Sequence, residues 1–212
     1  MKKAIPVSTQ DSSLVYIFTG DGKGKTSAAL GTAVRALGNG WKVVWIAFYK
    51  EASWGMSEYE VPGLLRPEQQ SRFQMFLLGK GFYIRTPEKV LENTGSSVKI
   101  ASLASGAKVI DDDTPDTHQA AAQVALEKAL EVLRTEKPDV LVLDEVCNAI
   151  SDGLLQESQI LDLLTQRGKT HIVLTGRSAS SELQAASDLV SEVMNRKHPY
   201  DQGRLAVKGL DY

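Results

Sequence analysis

Residues 14–37 read LVYIFTGDGKGKTSAALGTAVRAL, so that an apolar run, a glycine-rich turn and an alanine-rich segment follow one another. The run Leu14–Thr19 has the length and the β-branched and aromatic content of a buried strand. In Thr26–Leu37 apolar residues recur at spacings of three and four, which predicts a helix that ends at Gly38. A second apolar run, Lys42–Phe48, follows. This order of strand, turn, helix and strand predicts a parallel sheet.

The rest of the chain continues the alternation of strands and helices. The further predicted strands are Arg72–Leu78, Val140–Leu143, His171–Thr175 and Leu189–Met194. The further predicted helices are Asp116–Thr135, Ser158–Gln166 and Ser180–Ala186. The clearest strands are continuous apolar runs rather than alternating ones, which is typical of a sheet with helices on both faces.

Composition narrows the class of protein. The chain has 212 residues, 42% of them apolar and 24% charged, with a net charge of −2. This is the size and balance of one globular domain, and it argues against a dedicated nucleic-acid binder, which needs a basic surface. No apolar run approaches the roughly 18 residues that cross a bilayer. The single cysteine, Cys147, fits a reducing compartment. We therefore expect a cytoplasmic protein with neither nucleic acid nor membrane as a partner.

The turn after the first strand has the composition of a phosphate-binding loop. Glycine lets backbone N–H groups approach a phosphate closely, and the helix that follows adds the positive end of its dipole. Lys25 supplies a cation, and the Thr26 hydroxyl is a Mg²⁺ ligand in such loops. Thr19 stands where the usual phosphate-loop pattern has its first glycine. The position of the turn between a predicted strand and a predicted helix nevertheless supports a phosphate-binding loop. The residues expected to bind the nucleotide are Gly20, Asp21, Gly22, Lys23, Gly24, Lys25, Thr26 and Ser27.

A pair of acids ends the apolar strand Val140–Leu143. Asp144 and Glu145 lie where the carboxyl edge of a parallel sheet binds ligands, and in phosphate-loop proteins an acid at this place completes the Mg²⁺ shell. We therefore predict a Mg²⁺ site made by Thr26, Asp144 and Glu145. The sequence does not divide the roles of the two acids.

Few other side chains offer chemistry. Arg35 lies about two and a half helical turns beyond Thr26 and is a further candidate for nucleotide contact, with a solvent-facing side chain as the alternative. His118 and His171 are expected to be structural or exposed, and Cys147 to be a small buried residue. No nucleophile or strong base is evident. The nucleotide is thus either the donor of a transferred group or is hydrolysed to drive a switch.

These patterns together predict an α/β protein. We expect a single three-layer P-loop NTPase (RecA-like) domain with a mostly parallel sheet over residues 14–212. A flexible N-terminal arm, residues 1–13, precedes it.

Two regions of the chain resemble the ATP:corrinoid adenosyltransferase family. Gly20–Arg35 resembles the phosphate loop and first helix of that family, in which the form with Thr19 before the first glycine is usual. The acidic strand end Val142–Val146 also matches. The C-terminal segments that look like the same family are Thr175–Arg177, Asp188–Glu192, Lys197–Gly203 and Lys208–Tyr212.

The resemblance implies a reaction. Co(I) of a corrinoid attacks the 5′ carbon of ATP, triphosphate leaves, and a cobalt–carbon bond forms. Lys25 and Mg²⁺ would stabilise the charge on the leaving triphosphate, and Co(I) would need no general base. The nucleotide would lie reversed in the loop relative to ordinary ATPases. ATP as co-substrate, Mg²⁺, a corrinoid substrate, an electron donor that reduces cobalt and a homodimer are all implied in this way.

The middle of the chain departs from that family. An aromatic pair after the third strand displaces the lower ligand of cobalt in the family. Phe82 matches one aromatic residue of this pair, and the resemblance implies that it is a catalytic residue. Ile84 stands where the family has a tryptophan. Residues 90–113 look like an insertion, which is either part of a changed corrinoid pocket or a surface hairpin. These departures leave open a nucleotide-binding module without corrinoid activity. A second alternative is a RecA-like P-loop ATPase or regulatory nucleotide-binding protein, in which the same loop and Asp144-Glu145 support hydrolysis.

Overall fold

The computed structural model describes residues 12–51, 55–81, 83, 99–102, 108–111 and 113–210. Its strands are β1 (Val15–Thr19), β2 (Val43–Ala47), β3 (Phe73–Leu77), β4 (Lys99–Ser102), β5 (Lys108–Asp111), β6 (Val140–Asp144), β7 (His171–Thr175) and β8 (Leu189–Glu192). Its helices are α1 (Lys25–Gly38), α2 (Val61–Leu64), α3 (Pro67–Gln70), α4 (Pro115–Thr135), α5 (Val146–Ser151), α6 (Glu157–Thr165) and α7 (Ser181–Ala185). Short 3₁₀ turns cover Ser57–Glu60 and Pro199–Gln202.

Six strands form one sheet in the order β3-β2-β6-β7-β1-β8. Every neighbouring pair in it is parallel. The predicted α/β fold with a parallel sheet is therefore confirmed. The strand bounds differ from the predicted ones by one or two residues, and β6 extends to include Asp144. Strands β4 and β5 form a separate antiparallel pair within the region 90–113, the rest of which is mostly outside the described residues.

Helices cover both faces of the six-stranded sheet, as the continuous apolar strands predict. Helix α1 packs on one face, where its buried residues include Ala29, Ala33 and Leu37. Helices α4, α5 and α6 cover the other face. The neighbouring inner strands β2 and β6 are buried along their whole length. The resulting three layers remove most of the apolar side chains of the inner strands from water, which supplies most of the driving force for the fold.

Local signals fix where the long helices begin. Helix α4 begins after Thr114, whose side chain accepts a hydrogen bond from the Thr117 N–H, and Pro115 fills its first position. His118, in the first turns of α4, is only 3% exposed, and Cys147 in α5 is buried as predicted. Among the described residues, none of the helices has both the length and the apolar character that crossing a membrane requires.

The parallel arrangement assembles the functional edge. Strands β1, β6 and β7 end at Thr19, Asp144 and Thr175, and all three residues are buried. Because these strands are parallel, the loops that follow them meet at one edge of the sheet. The predicted arm lies outside the described residues up to residue 11, while the buried Ser13 donates a hydrogen bond to the Gly168 carbonyl at 2.7 Å.

Candidate functional site

The glycine-rich loop lies between the end of β1 and the start of α1. Its backbone has positive φ angles at Gly20 (97°) and Gly24 (119°), which side-chain-bearing residues rarely adopt. Gly22 is required for a different reason, since a Cβ there would lie 2.7 Å from the Met194 carbonyl oxygen. The Gly22 N–H also donates to the Val193 carbonyl at 2.7 Å. The chain that leaves β8 therefore packs directly against the loop.

Lys25 is folded back into the loop that precedes it. Its Nζ donates to the carbonyl oxygens of Gly20 at 2.7 Å and Gly22 at 2.8 Å. Burial lowers the pKa of Lys25, and the positive charge of Arg177 lowers it further. A phosphate that entered the loop would replace these carbonyls as the partner of the ammonium and would be favoured by both cations.

Asp144 joins the loop to the centre of the sheet. The residue is fully buried, and its Oδ1 accepts hydrogen bonds from Thr26 Oγ1 at 3.1 Å and from Thr175 Oγ1 at 2.7 Å. The Thr175 hydroxyl oxygen in turn accepts from the Glu145 N–H at 2.8 Å. The structure thus brings together the first turn of α1 and the ends of β6 and β7, as predicted for Thr26 and Asp144.

The other oxygen of Asp144 faces a buried lysine. Lys50 is 4% exposed, and its Nζ lies 2.8 Å from Asp144 Oδ2 and 2.7 Å from Glu58 Oε1. Burial alone would lower the pKa of Lys50, but the Asp144 and Glu145 carboxylates outweigh it and raise the pKa above its ordinary value. The ammonium is therefore a permanent charge beside the acids.

Glu145 occupies the bend between β6 and α5. Its φ of 64° is left-handed, which is uncommon for a residue with a side chain and turns the chain sharply after Asp144. Burial raises the pKa of Glu145 to about 7, and the adjacent Asp144 carboxylate adds to the shift. A cation beside these two acids would relieve their repulsion.

The segment after β7 brings an arginine to the same edge. A Cβ on Gly176 would lie 2.6 Å from Asn148 Oδ1, so only glycine allows the close passage over α5. Asn148 Oδ1 accepts a hydrogen bond from the Arg177 N–H at 2.7 Å. The sequence alone predicts no role for five residues at this edge: Lys50, Glu58, Thr175, Asn148 and Arg177. The available signals are that Thr175 ends a predicted strand at this edge, that Arg177 and Lys50 follow predicted strands there, and that Thr175–Arg177 carries part of the family resemblance.

Arg35 does not reach the loop. It lines a cavity of about 280 Å³ at the opposite end of the strands, together with Leu14, Trp41 and His171. The Trp41 and His171 rings stack there with centroids 5.3 Å apart. Ten residues of helix separate Arg35 from Lys25, which is about 15 Å along the axis. Phe82 and Ile84, predicted from the family resemblance to bear on the corrinoid, lie outside the described residues.

The donors at the edge suit a hard divalent cation. Thr26, Asp144 and Glu145 offer only oxygen atoms, which Mg²⁺ prefers. Within the described ranges, no group of three or more His, Cys, Asp or Glu residues could hold a metal by itself. Mg²⁺ in nucleotide sites is usually held by one or two carboxylates together with phosphate oxygens and waters.

Comparison with known proteins gives a consistent result. A family model described as ATP:corrinoid adenosyltransferase BtuR/CobO/CobP matches residues 11–212. A corrinoid adenosyltransferase from Sinorhizobium sp. is 27% identical over 213 residues, which cover 100% of this chain and 86% of that protein. Corrinoid adenosyltransferase CobA from Salmonella typhimurium strain LT2 is 29% identical over 204 residues, with 96% and 87% covered. The similarity spans the loop, the acidic strand end and the C-terminal segment.

Proposed function

The chain belongs to the ATP:corrinoid adenosyltransferase family and is a corrinoid adenosyltransferase, and from this premise we propose how its site performs the transfer. The proposed reaction moves the 5′-deoxyadenosyl group of ATP to Co(I) of a corrinoid and releases triphosphate. One observation carries the assignment of the site: the phosphate loop and the acidic strand end are joined by the contact between Thr26 and Asp144. The relatives' names favour this reaction over a RecA-like ATPase or a regulatory switch.

The loop residues Gly20–Ser27 would hold the triphosphate of ATP. Apart from the Gly22 N–H, which already donates to the Val193 carbonyl, the backbone N–H groups of the loop and of the N-terminus of α1 would donate to phosphate oxygens. Lys25 would leave the Gly20 and Gly22 carbonyls and pair with the phosphates. Arg177 is close enough to lower the pKa of Lys25, so it would add positive charge at the same place.

Thr26, Asp144 and Glu145 would hold Mg²⁺ with the phosphate oxygens. The fit rests on the all-oxygen donor set and on the bend that places Glu145 beside Asp144. When bound, Mg²⁺ would neutralise negative charge on the triphosphate. Because Thr26, Asp144 and Glu145 would fill only part of the octahedral shell of Mg²⁺, we expect the protein to bind Mg²⁺ weakly without ATP.

The transfer needs little proton chemistry from the protein. Co(I) of the substrate supplies the electron pair of the new cobalt–carbon bond and becomes formally Co(III). The bond between C5′ and the α-phosphate oxygen breaks, and its electron pair leaves with triphosphate. The contribution of the chain would be to position ATP and to stabilise the growing charge through Lys25 and the loop amides. A nucleotide reversed in the loop would direct C5′ towards the corrinoid.

The remaining proposals rest on the family resemblance. Phe82 would displace the lower ligand of cobalt and so make the reduction to Co(I) easier. A separate electron donor would supply that reduction, and the protein would act as a cytoplasmic homodimer. A buried Cys147 whose pKa is raised to about 12 by burial is an unreactive thiol, so it would not interfere with this reduction.

Product analysis tests the proposed function. The purified protein is incubated with ATP, Mg²⁺ and chemically reduced corrinoid, and the ultraviolet–visible spectrum is followed. We expect the spectrum of an alkylated corrinoid and one triphosphate for each corrinoid consumed. The appearance of ADP and phosphate without a change at cobalt would instead favour the ATPase.

A further inference from the structure

Lys50 follows β2, and its ammonium lies between carboxylates from two different parts of the chain. We infer that Lys50 is a positioning residue of the nucleotide–metal site, which fixes the direction of the Asp144 carboxylate and ties the Ser57–Glu60 turn to the end of β6. The inference rests on the proposed function, because it assigns Asp144 to the metal site.

Both charged residues of the Lys50–Asp144 pair are buried. Lys50 is 4% exposed and Asp144 is 0% exposed. A charged group taken out of water is costly unless it is paired, so a lysine at this place is stable only through its carboxylates. The two contacts, 2.8 Å to Asp144 Oδ2 and 2.7 Å to Glu58 Oε1, meet that requirement.

The two carboxylate oxygens of Asp144 have different partners. Its Oδ1 faces the hydroxyls of Thr26 and Thr175. Apart from the ion pair with Lys50, its Oδ2 has no partner within the described residues. A carboxylate is planar, so holding Oδ2 also sets where Oδ1 points. Lys50 therefore decides which oxygen of Asp144 is presented to Thr26 and the phosphate loop.

Glu58 makes the lysine a bridge. It lies in the Ser57–Glu60 turn, which leads into α2, and its side chain is only 14% exposed. Through Lys50 this turn is connected to the last residue of β6. With only Asp144 as a partner, the long lysine side chain would keep more rotamers, so Glu58 reduces the freedom of the ammonium.

Electrostatics sets the expected direction of the effect. Without Lys50, three carboxylates, those of Glu58, Asp144 and Glu145, would be left with less positive charge beside them. Asp144 Oδ2 would then need a new donor, either water or a neighbouring side chain. Reorientation of Asp144 would remove Oδ1 from Thr26 and weaken metal binding even though the site had become more negative.

The chain offers a matched control. Lys42 precedes β2 as Lys50 follows it, and Lys42 Nζ lies 2.7 Å from Glu136 Oε2. This pair is more exposed, at 33% and 23%, and stands at the other end of the strand. Lys42→Met thus removes a lysine–glutamate pair of the same length from the same strand without touching the site.

The test measures binding of Mn²⁺, as a stand-in for Mg²⁺, by electron paramagnetic resonance with saturating ATP. We expect Lys50→Met to raise the dissociation constant of Mn²⁺ about tenfold or more, because the loss of a residue that positions a metal ligand commonly weakens metal binding by that much. Lys42→Met should stay within about twofold of the wild type, and Lys50→Arg should recover part of the loss. A folded Lys50→Met protein that binds Mn²⁺ as the wild type does would overturn the inference.

A double-mutant cycle separates positioning from a general structural effect. If Lys50 acts through Asp144, adding Lys50→Met to an Asp144→Asn protein should change Mn²⁺ binding by less than about twofold. An undiminished effect in that background would also overturn the inference. If Lys50→Met does not fold, Glu58→Gln tests the inference instead. We expect this variant to lose about threefold in affinity for Mn²⁺, and an unchanged affinity would overturn the inference. Absence of Mn²⁺ binding to wild type with ATP would reject the proposed metal site itself.

Discussion

Thr26 donates its hydroxyl to Asp144 Oδ1 at 3.1 Å across 118 residues of sequence. The contact joins the first turn of α1 to the last residue of β6. Each residue alone belongs to a common pattern, a threonine after a glycine-rich loop and an acid after an apolar strand. Their contact brings the two patterns to one place, which is why we propose a single site there for the triphosphate and a cation.

Lys25→Ala should nearly abolish adenosyl transfer and leave the fold intact. The substitution removes a cation placed at the leaving triphosphate, at a cost on the order of 3 kcal/mol in transition-state stabilisation, which is about a hundredfold in kcat. Turnover with reduced corrinoid measures the loss of adenosyl transfer, and circular dichroism shows whether the fold is intact. Lys128→Ala, which removes an exposed pair with Glu131 on α4, should have ordinary turnover. Normal turnover of Lys25→Ala would remove the loop from the mechanism.

Asp144→Asn and Glu145→Gln should raise the Mg²⁺ concentration needed for half-maximal activity more than they raise the KM for ATP. Each removes charge from the proposed cation site and leaves the phosphate donors in place. Titration of Mg²⁺ at saturating ATP measures the change. If both variants need no more Mg²⁺ than the wild type, the two acids serve only the structure.

Gly22→Ala should destabilise the protein and weaken ATP binding. Its Cβ would lie 2.7 Å from the Met194 carbonyl oxygen, so the segment after β8 must move, at a cost of about 1–3 kcal/mol. Gly31→Ala in the middle of α1 is the control, because a Cβ there meets nothing within 4 Å. It should stabilise by about 0.5–1 kcal/mol. Denaturant unfolding of both variants provides the comparison, and equal stabilities would contradict the steric argument.

Phe82→Ala should impair the reduction of cobalt and leave the affinity for ATP nearly unchanged. If the ring excludes water beneath the corrin, its loss makes Co(II) harder to reduce. Activity should fall with Co(II) corrinoid and a mild reductant, and much of it should remain when Co(I) is made beforehand. Titration with ATP should give a nearly unchanged dissociation constant. Equal losses with both cobalt states would point to a packing role for Phe82.

The sequence was most informative where the pattern is local. The glycines, Lys25 and Thr26 are read from one turn, and Asp144 from one strand end, because the carboxyl ends of parallel strands must meet. Arg35 was harder to place, since a helix that starts at the site leads away from it at about 1.5 Å per residue. Lys50 could not be predicted, because a lysine after a strand is usually solvated. Its partners, Glu58 in the Ser57–Glu60 turn and Asp144 at the end of β6, come together only in the folded chain.

The packing of residues 193 and 194 against the phosphate loop has a consequence for synthesis of the chain. Strand β1 pairs only with β7 and β8, and the Val15 N–H donates to an Asp188 carboxylate 173 residues later. At about 5–20 residues per second, a ribosome needs roughly 10–30 s to make that intervening length. Both edges of β1 stay unpaired until β7 has been made, and the edge that pairs with β8 stays unpaired until residues 189–192 follow. The loop lacks the backbone that shapes it until residues 193 and 194 have been added. The phosphate loop is thus translated well before the segment that shapes it, and a nascent chain is open to mispairing at β1 until β8 emerges.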